Sequence, residues 1–339
     1  MPYADLPLNN YVGLLMLPFS QRLPEIKQCV VFAFVYLLSF AFVQSQILGL
    51  DASEKKPAGP PIEAPKDRKQ WETWKETWMG SLRKNCFYAW PRKSAPLNAK
   101  ERFSAQSKGV SLRAIDFDGP AGRRTLYVSH YPGLEEPDLV VLTTLGNEGW
   151  KDFLAAMRPG FEKELGFVDL PAPNLKSFKQ HQGMYRSFKW AMAYLAPSGI
   201  GPESPSTEDA EEQSSLDAIR VLELRKAIQT LRSAGGMPKV PMWLQGHGDM
   251  AGVTLYAGLF EPDIARFDLH DLPKSHNQSS FLKNALTILD FPQTVALALE
   301  NSQVILYQDN ERGWDYPASA AKRLQWNNRL QIRTPPPPK

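Results

Sequence analysis

The sequence predicts an α/β fold in which a mostly parallel β-sheet carries helices on both faces. Residues 138–145, 190–195 and 240–244 are short, continuous apolar runs, as in strands that are buried on both sides. Residues 216–233 instead show the 3.6-residue apolar period of a helix, and Gly235-Gly236 provides a helix stop. Strands that alternate with helices in this way favour parallel pairing.

The first 52 residues are expected to direct the protein to or across a membrane. Residues 29–43 are almost wholly apolar, and Arg22 and Lys27 precede them as a positive flank. This apolar core is shorter than the roughly 20 residues that span a bilayer, so a cleaved signal peptide is favoured over an uncleaved anchor. We therefore expect an exported protein, periplasmic or extracellular, or one held at the membrane by this segment alone.

A proline-rich linker at 53–65 separates this leader from one large domain at 66–333, and residues 334–339 form a proline-rich tail. The domain begins with a helix that carries Trp71, Trp74 and Trp78 on one face. Such a stripe packs on its own domain more often than on a partner. Exposure of the stripe would instead favour a structural, partner-binding module.

The remaining elements follow in order. Residues 111–118 and 125–129 form an N-terminal β-hairpin around a Gly-Pro-Ala-Gly turn. Further strands are expected at 265–269, 303–307 and 330–333, and further helices from residue 253 onward, at 281–289 and at 318–324.

Composition narrows the range of functions. The 339 residues carry a net charge of +3 with acidic and basic residues mixed along the chain, which argues against nucleic-acid binding. Cys29 and Cys86 are the two cysteines, and neither has neighbours at metal-ligand spacing. The sequence therefore predicts neither a metal site nor a cofactor site, and it does not determine the oligomeric state.

Residues 240–252 (VPMWLQGHGDMAG) carry the most informative motif. An apolar strand turns sharply through glycines into a helical pattern, the context in which a G-x-S-x-G turn presents a nucleophilic serine. Here Gly246-His247 is followed by Gly248, which has no side chain with which to attack a carbonyl.

Several strings resemble bacterial α/β-hydrolases grouped with acetyl xylan esterases and dienelactone hydrolases: GHGDMAG at 246–252, LYAGLFEP at 255–262, LPKSH at 272–276, ILDFP at 288–292 and LAPSGIGP at 195–202. The resemblance covers residues 66–333. It implies an α/β-hydrolase-like fold, acylated carbohydrate or another small molecule as ligand, and a triad in the order serine, acid, histidine.

The triad positions depart from that pattern. The nucleophile position is Gly248 when counted from the strand and Asp249 when counted back from the helix. Asp309 or Asp315 lies in the region of the acid. The last expected strand is followed by no histidine, and none occurs after His276. We therefore expect an exported hydrolase-fold protein that is catalytically inactive and acts by binding or in the cell envelope.

The alternative is an active carbohydrate-ester hydrolase that uses Asp249 with a non-standard histidine. His276, on the loop after strand 265–269, and His247, within the turn, are the candidates; Asp249 could equally cap the helix. If catalysis survives, Asp249 and His276 should share a cleft. If it is lost, Trp243, Trp150 or Trp314 should fill the cleft. Glu148, on the loop after strand 138–145, would repel an oxyanion if it pointed inward.

Overall fold

Nine strands form one sheet in a computed structural model that describes residues 61, 63–93, 95–166, 169–201, 210–279 and 281–335. The strands are β1 (Lys100–Ser107), β2 (Val110–Gly119), β3 (Gly122–His130), β4 (Leu139–Thr144), β5 (Trp190–Leu195), β6 (Met242–His247), β7 (Ile264–His270), β8 (Gln303–Tyr307) and β9 (Leu330–Arg333). The predicted leader, 1–52, and most of the linker lie outside the described residues. No helix among the described residues is long and apolar enough to cross a membrane.

The sheet order is β1-β2-β3-β5-β4-β6-β7-β8-β9. Strands β4 to β9 are parallel, and β1 to β3 form an antiparallel extension joined to β5. This arrangement confirms the predicted mostly parallel sheet, and the predicted hairpin is β2 and β3. Strand β1 was not expected, because its sequence is polar and its side chains are mostly exposed.

Seven α-helices cover the sheet in the described residues: α1 (Arg68–Asn85), α2 (Asn147–Leu165), α3 (Leu175–Ser187), α4 (Ala210–Arg232), α5 (Asp249–Leu259), α6 (Phe291–Leu299) and α7 (Asp315–Arg323). Helices α2 and α3 pack on one face, in a core with β1, β2, β3 and β5. The other five pack in the larger core on the opposite face. Helices therefore cover both faces, as predicted.

The tryptophan stripe belongs to this larger core. Trp71 and Trp78 are buried, with their ring centroids 6.0 Å apart, and Trp74 packs beside them. Helix α1 thus docks on its own domain through this stripe. The stripe is not exposed, as a partner-binding module would have required.

The helix predicted at 281–289 is wrong. The chain there forms only a short 3₁₀ turn, Lys283–Thr287, because Leu282 at its start has a left-handed φ of 44°. The true helix, α6, begins at Phe291. Asp290 and Gln293 form a capping box, and Pro292 occupies the first turn, where its missing N–H leaves no bond unmade.

The connections after β4 and β6 leave in opposite directions. These neighbouring parallel strands are followed by α2 on one face and α5 on the other. Such a divergence opens a crevice at the carboxyl ends of the strands, the usual place for ligands in open α/β sheets. The glycine turn after β6 lies at this crevice.

Candidate functional site

The turn between β6 and α5 is the centre of the candidate site. Strand β6 ends at His247 and α5 begins at Asp249, so Gly248 alone makes the turn, with φ 55° and ψ −127°. In α/β-hydrolases the nucleophile occupies a sharp, strained turn of this kind. The structure thus places Gly248 at the turn and Asp249 in the helix, which distinguishes the two registers left open by the sequence.

The turn requires glycine at a second position for a different reason. A Cβ on Gly246 would collide with the carbonyl oxygen of Met250 and lie 2.5 Å from Thr254 Oγ1, because α5 crosses closely over β6. A Cβ on Gly248 would instead have no heavy atom of a non-adjacent residue within 4 Å. Packing therefore demands a glycine at 246, whereas the space beside Gly248 is open.

None of the three tryptophans expected to fill the cleft occupies that space. Trp243 packs under the Arg266 guanidinium, 4.1 Å from its ring centroid. Trp150 and Trp314 are buried in the two cores. The space beside Gly248 is therefore not filled by any of these rings.

Asp249 holds the loop that follows β7. Its carboxylate accepts a hydrogen bond from Ser279 Oγ at 2.7 Å, and Ser279 Oγ in turn accepts from the Phe281 N–H at 2.9 Å. The carboxylate also stands in the first turn of α5, where the helix dipole favours negative charge. These contacts give Asp249 a structural role, because its carboxylate links the start of α5 to the loop after β7.

His276 is fully buried, with both ring nitrogens engaged. Nδ1 contacts Asp290 Oδ1 at 2.8 Å, and Nε2 contacts the Tyr256 hydroxyl at 3.0 Å. The ring stacks on Phe291 with a centroid distance of 4.0 Å. Burial lowers the pKa of His276 despite the opposing effect of Asp290. The structure therefore forms no hydrogen bond between Asp249 and His276; each has other partners.

Two other histidines do meet at the turn. His247 and His270 are register partners on β6 and β7, and their rings stack at 4.1 Å; His270 stacks equally closely on Tyr307, its partner on β8. The backbone N–H of Gly248 donates to the carbonyl of His270 at 2.9 Å, which fixes the turn against this stack. We call His247, His270 and Tyr307 the aromatic ladder.

The ladder histidines are neutral at neutral pH. Burial, with a smaller repulsion from His247, lowers the pKa of His270 to about 4. Partial burial lowers the pKa of His247 as well, although part of the residue is exposed and nearby Asp271 opposes the shift. Gln245 accepts a hydrogen bond from Thr143 through Oε1, so its Nε2 donates to His270 Nε2 at 3.2 Å, and the His270 proton is on Nδ1.

Sequence reasoning singled out His247 but missed His270 and Tyr307. The sequence did contain a signal for both residues. Tyr307 is the last residue of the strand expected at 303–307, and His270 directly follows the strand expected at 265–269. To infer that these side chains meet requires the register of β6, β7 and β8, which the sequence does not provide.

The remaining predicted residues lie away from the ladder or point outward. Glu148 is 83% exposed on its side chain and pairs with Lys151 at 2.8 Å, so it does not place charge against an oxyanion. Asp309 and Asp315 are both exposed, and neither side chain bonds to a histidine in the part of the chain that the structure describes. No group of three potential metal ligands occurs among the described residues.

Backbone donors also converge on the crevice. Helices α2 and α5 follow neighbouring strands, and neither has a side-chain cap at its N-terminus. Their first-turn N–H groups have no partner within the helix. A Cβ on Gly146, which precedes α2, would lie 3.7 Å from the Met250 side chain, so the two N-termini are adjacent. They can stabilise a carbonyl or carboxylate oxygen.

Comparison with known proteins identifies the fold but not a family. No family model matches the sequence, and no curated protein is detectably similar to it. A candidate acetyl xylan esterase from Bacteroides fragilis superposes with a TM-score of 0.58 at 14% identity, covering 80% of this chain and 79% of that one. A glucuronoyl esterase from Solibacter usitatus gives 0.54 at 11% identity, covering 82% and 93%. This chain therefore has the α/β-hydrolase-like fold that these esterases share.

Proposed function

We propose that this protein binds an acylated carbohydrate, or a similar small ester, at the turn after β6 without hydrolysing it. The observation that carries the proposal is Gly248, which holds the strained conformation of a nucleophile turn beside open space but offers no nucleophilic atom. We also propose that the protein acts outside the cytoplasm or in the cell envelope.

The surroundings of the turn favour binding. The exposed ring of His247 borders the turn as part of a neutral ladder, which can accept or donate a hydrogen bond without charge. The uncapped N-termini of α2 and α5 supply donors suited to an ester carbonyl oxygen. Crevices of this kind, with a few convergent polar groups, are typical small-molecule sites.

The alternative, hydrolysis by Asp249 with His276, finds less support. A carboxylate nucleophile would need a histidine or a water within reach, yet both His276 ring nitrogens are bound in the core. Asp249 is itself held by Ser279. Use of this carboxylate as a nucleophile would break that hydrogen bond.

The test combines binding with turnover on the full chain. We expect acetylated xylo-oligosaccharides to bind, as measured by calorimetry, without acetate release above the buffer rate. His247→Ala should weaken binding about tenfold. The control, His130→Ala, removes a histidine of β3 that bonds to the Tyr131 carbonyl and should leave affinity unchanged.

Either of two results would overturn the proposal. Acetate release that disappears in Asp249→Asn would establish a hydrolase with a carboxylate nucleophile. Absence of binding by a folded protein, or equal loss in both histidine variants, would remove the turn as a ligand site.

A further inference from the structure

A second concave region lies away from the turn, between α1, the segment after it and α4. We call it the basic pocket. Its volume is about 620 Å³, within the range of small-molecule sites. Its lining includes Arg83, Lys84, Arg92, Arg225 and Lys226, and no carboxylate.

Most of this positive charge has no counter-charge. In the described part of the chain, Arg83, Lys84 and Arg92 form no ion pair, whereas Arg225 pairs with Glu261 at 2.7 Å. Lys226 is only 6% exposed, and the partner of its ammonium group is the carbonyl oxygen of Asp118 at 2.8 Å. A buried ammonium with a single neutral acceptor is incompletely satisfied, because it has three donors and a full charge.

Aromatic rings border the same charges. Trp90 stacks on Phe87 at 4.2 Å and donates its indole N–H to the Ala218 carbonyl at 2.9 Å, so its ring is fixed. The Arg225 guanidinium lies 4.8 Å from the Trp90 centroid. Tyr88 is 73% exposed, which is unusual for so large a ring. Rings beside cations can stack a planar group while its charged end is neutralised.

We propose that the basic pocket binds a phosphorylated small molecule that carries an aromatic ring, the chemistry of a nucleotide. Phosphate groups supply negative charge for the four cations of the lining that have no carboxylate partner, and guanidinium groups match phosphate geometry in a bidentate manner. The ring of the ligand lies against the exposed ring of Tyr88, while Trp90, covered by Phe87 and Arg225, fixes the wall of the pocket. This site shares no lining residue with the turn after β6, so it does not depend on the function proposed there.

Calorimetry on the full-length protein at 0.15 M salt tests the proposal, with ADP, pyrophosphate, adenosine and citrate as probes. We expect ADP to bind more tightly than pyrophosphate, and both more tightly than adenosine or citrate. Arg83→Gln and Arg92→Gln should each weaken ADP binding by about five- to tenfold. Tyr88→Ala should weaken ADP binding and leave pyrophosphate binding unchanged.

The control removes two cations elsewhere. Lys176→Gln with Lys179→Gln deletes charge on the exposed face of α3 and should leave ADP affinity as it is. The substituted side chains of the pocket are exposed, so an unchanged melting temperature is expected to accompany each loss. Absence of ADP binding at millimolar concentration would overturn the proposal. So would equal loss in the control, or citrate binding as tightly as ADP, since either would indicate unspecific attraction of anions.

Discussion

The two glycines at the turn after β6 should respond very differently to the same added methyl group. Gly246→Ala drives a Cβ against the Met250 carbonyl and to 2.5 Å from Thr254 Oγ1. Backbone cannot yield as a flexible side chain does, so β6 and α5 must separate, and we expect a loss of about 3 kcal/mol or more in the free energy of unfolding. Gly248→Ala meets no clash, and only its left-handed backbone opposes the change.

That backbone strain amounts to about 1–3 kcal/mol for a residue other than glycine. The lower entropy of the unfolded alanine chain returns about 0.4–1 kcal/mol. Gly248→Ala should therefore lose between about 0 and 2.6 kcal/mol in urea-induced unfolding, less than Gly246→Ala. A larger loss for Gly248→Ala than for Gly246→Ala would refute the assignment of residue 248 to the open turn and of residue 246 to the packed strand end.

Three further outcomes follow from the same structure. Gly248→Ser should remain without ester turnover, because His276 is bound at both ring nitrogens and cannot serve as its base; a rate a hundredfold above wild type in an acetate-release assay would contradict this. Glu223→Gln should lower the free energy of unfolding by about 1.5–3 kcal/mol, since it removes the buried carboxylate that accepts from Arg124 Nε and from the Ser198 N–H and hydroxyl. Glu148→Gln, at an exposed ion pair, should change the free energy of unfolding by less than about 1 kcal/mol. Similar losses in the Glu223 and Glu148 variants would contradict the difference in burial between the two ion pairs. Acid should destabilise the fold through Asp290, where hydrogen bonds from His276 and others outweigh burial and lower the pKa to about 2. The folded state then binds fewer protons than the unfolded state, so about 2 kcal/mol present above pH 4 is lost as the pH falls to 2, and Asp290→Asn should remove this part of the pH dependence.

The parallel sheet could be predicted because its strands are buried on both faces and read as apolar runs. The turn at 246–252 could be found for a similar reason, since glycines are needed wherever backbone approaches backbone. By contrast, β1 has a polar sequence, so its local pattern does not predict a strand. Its pairing with β2 depends on tertiary context, which the local sequence does not contain.

The site was less accessible to sequence reasoning, because it depends on register and on burial. His270 and Tyr307 join His247 only because three parallel strands end at the same level. His276 has the same chemistry as His270 in the sequence, yet it is sealed in the core by Tyr256 and Phe291. A histidine on a loop after a strand can therefore belong to either class, and its neighbours in space decide which.

The glycine turn is required by packing independently of any chemistry at it. A Cβ at Gly246 would strike α5, so this glycine is needed to seat α5 on β6, and a Cβ at Gly252 would lie 2.8 Å from Phe281, so that glycine is needed to pack Phe281 against α5. Gly248 differs, because the space beside it would admit a side chain and only its backbone conformation favours glycine. The architecture of the turn is thus explained by the fold, while the residue at 248 decides whether a nucleophile is present. A glycine there relieves about 1–3 kcal/mol of strain and leaves the space beside the turn unfilled.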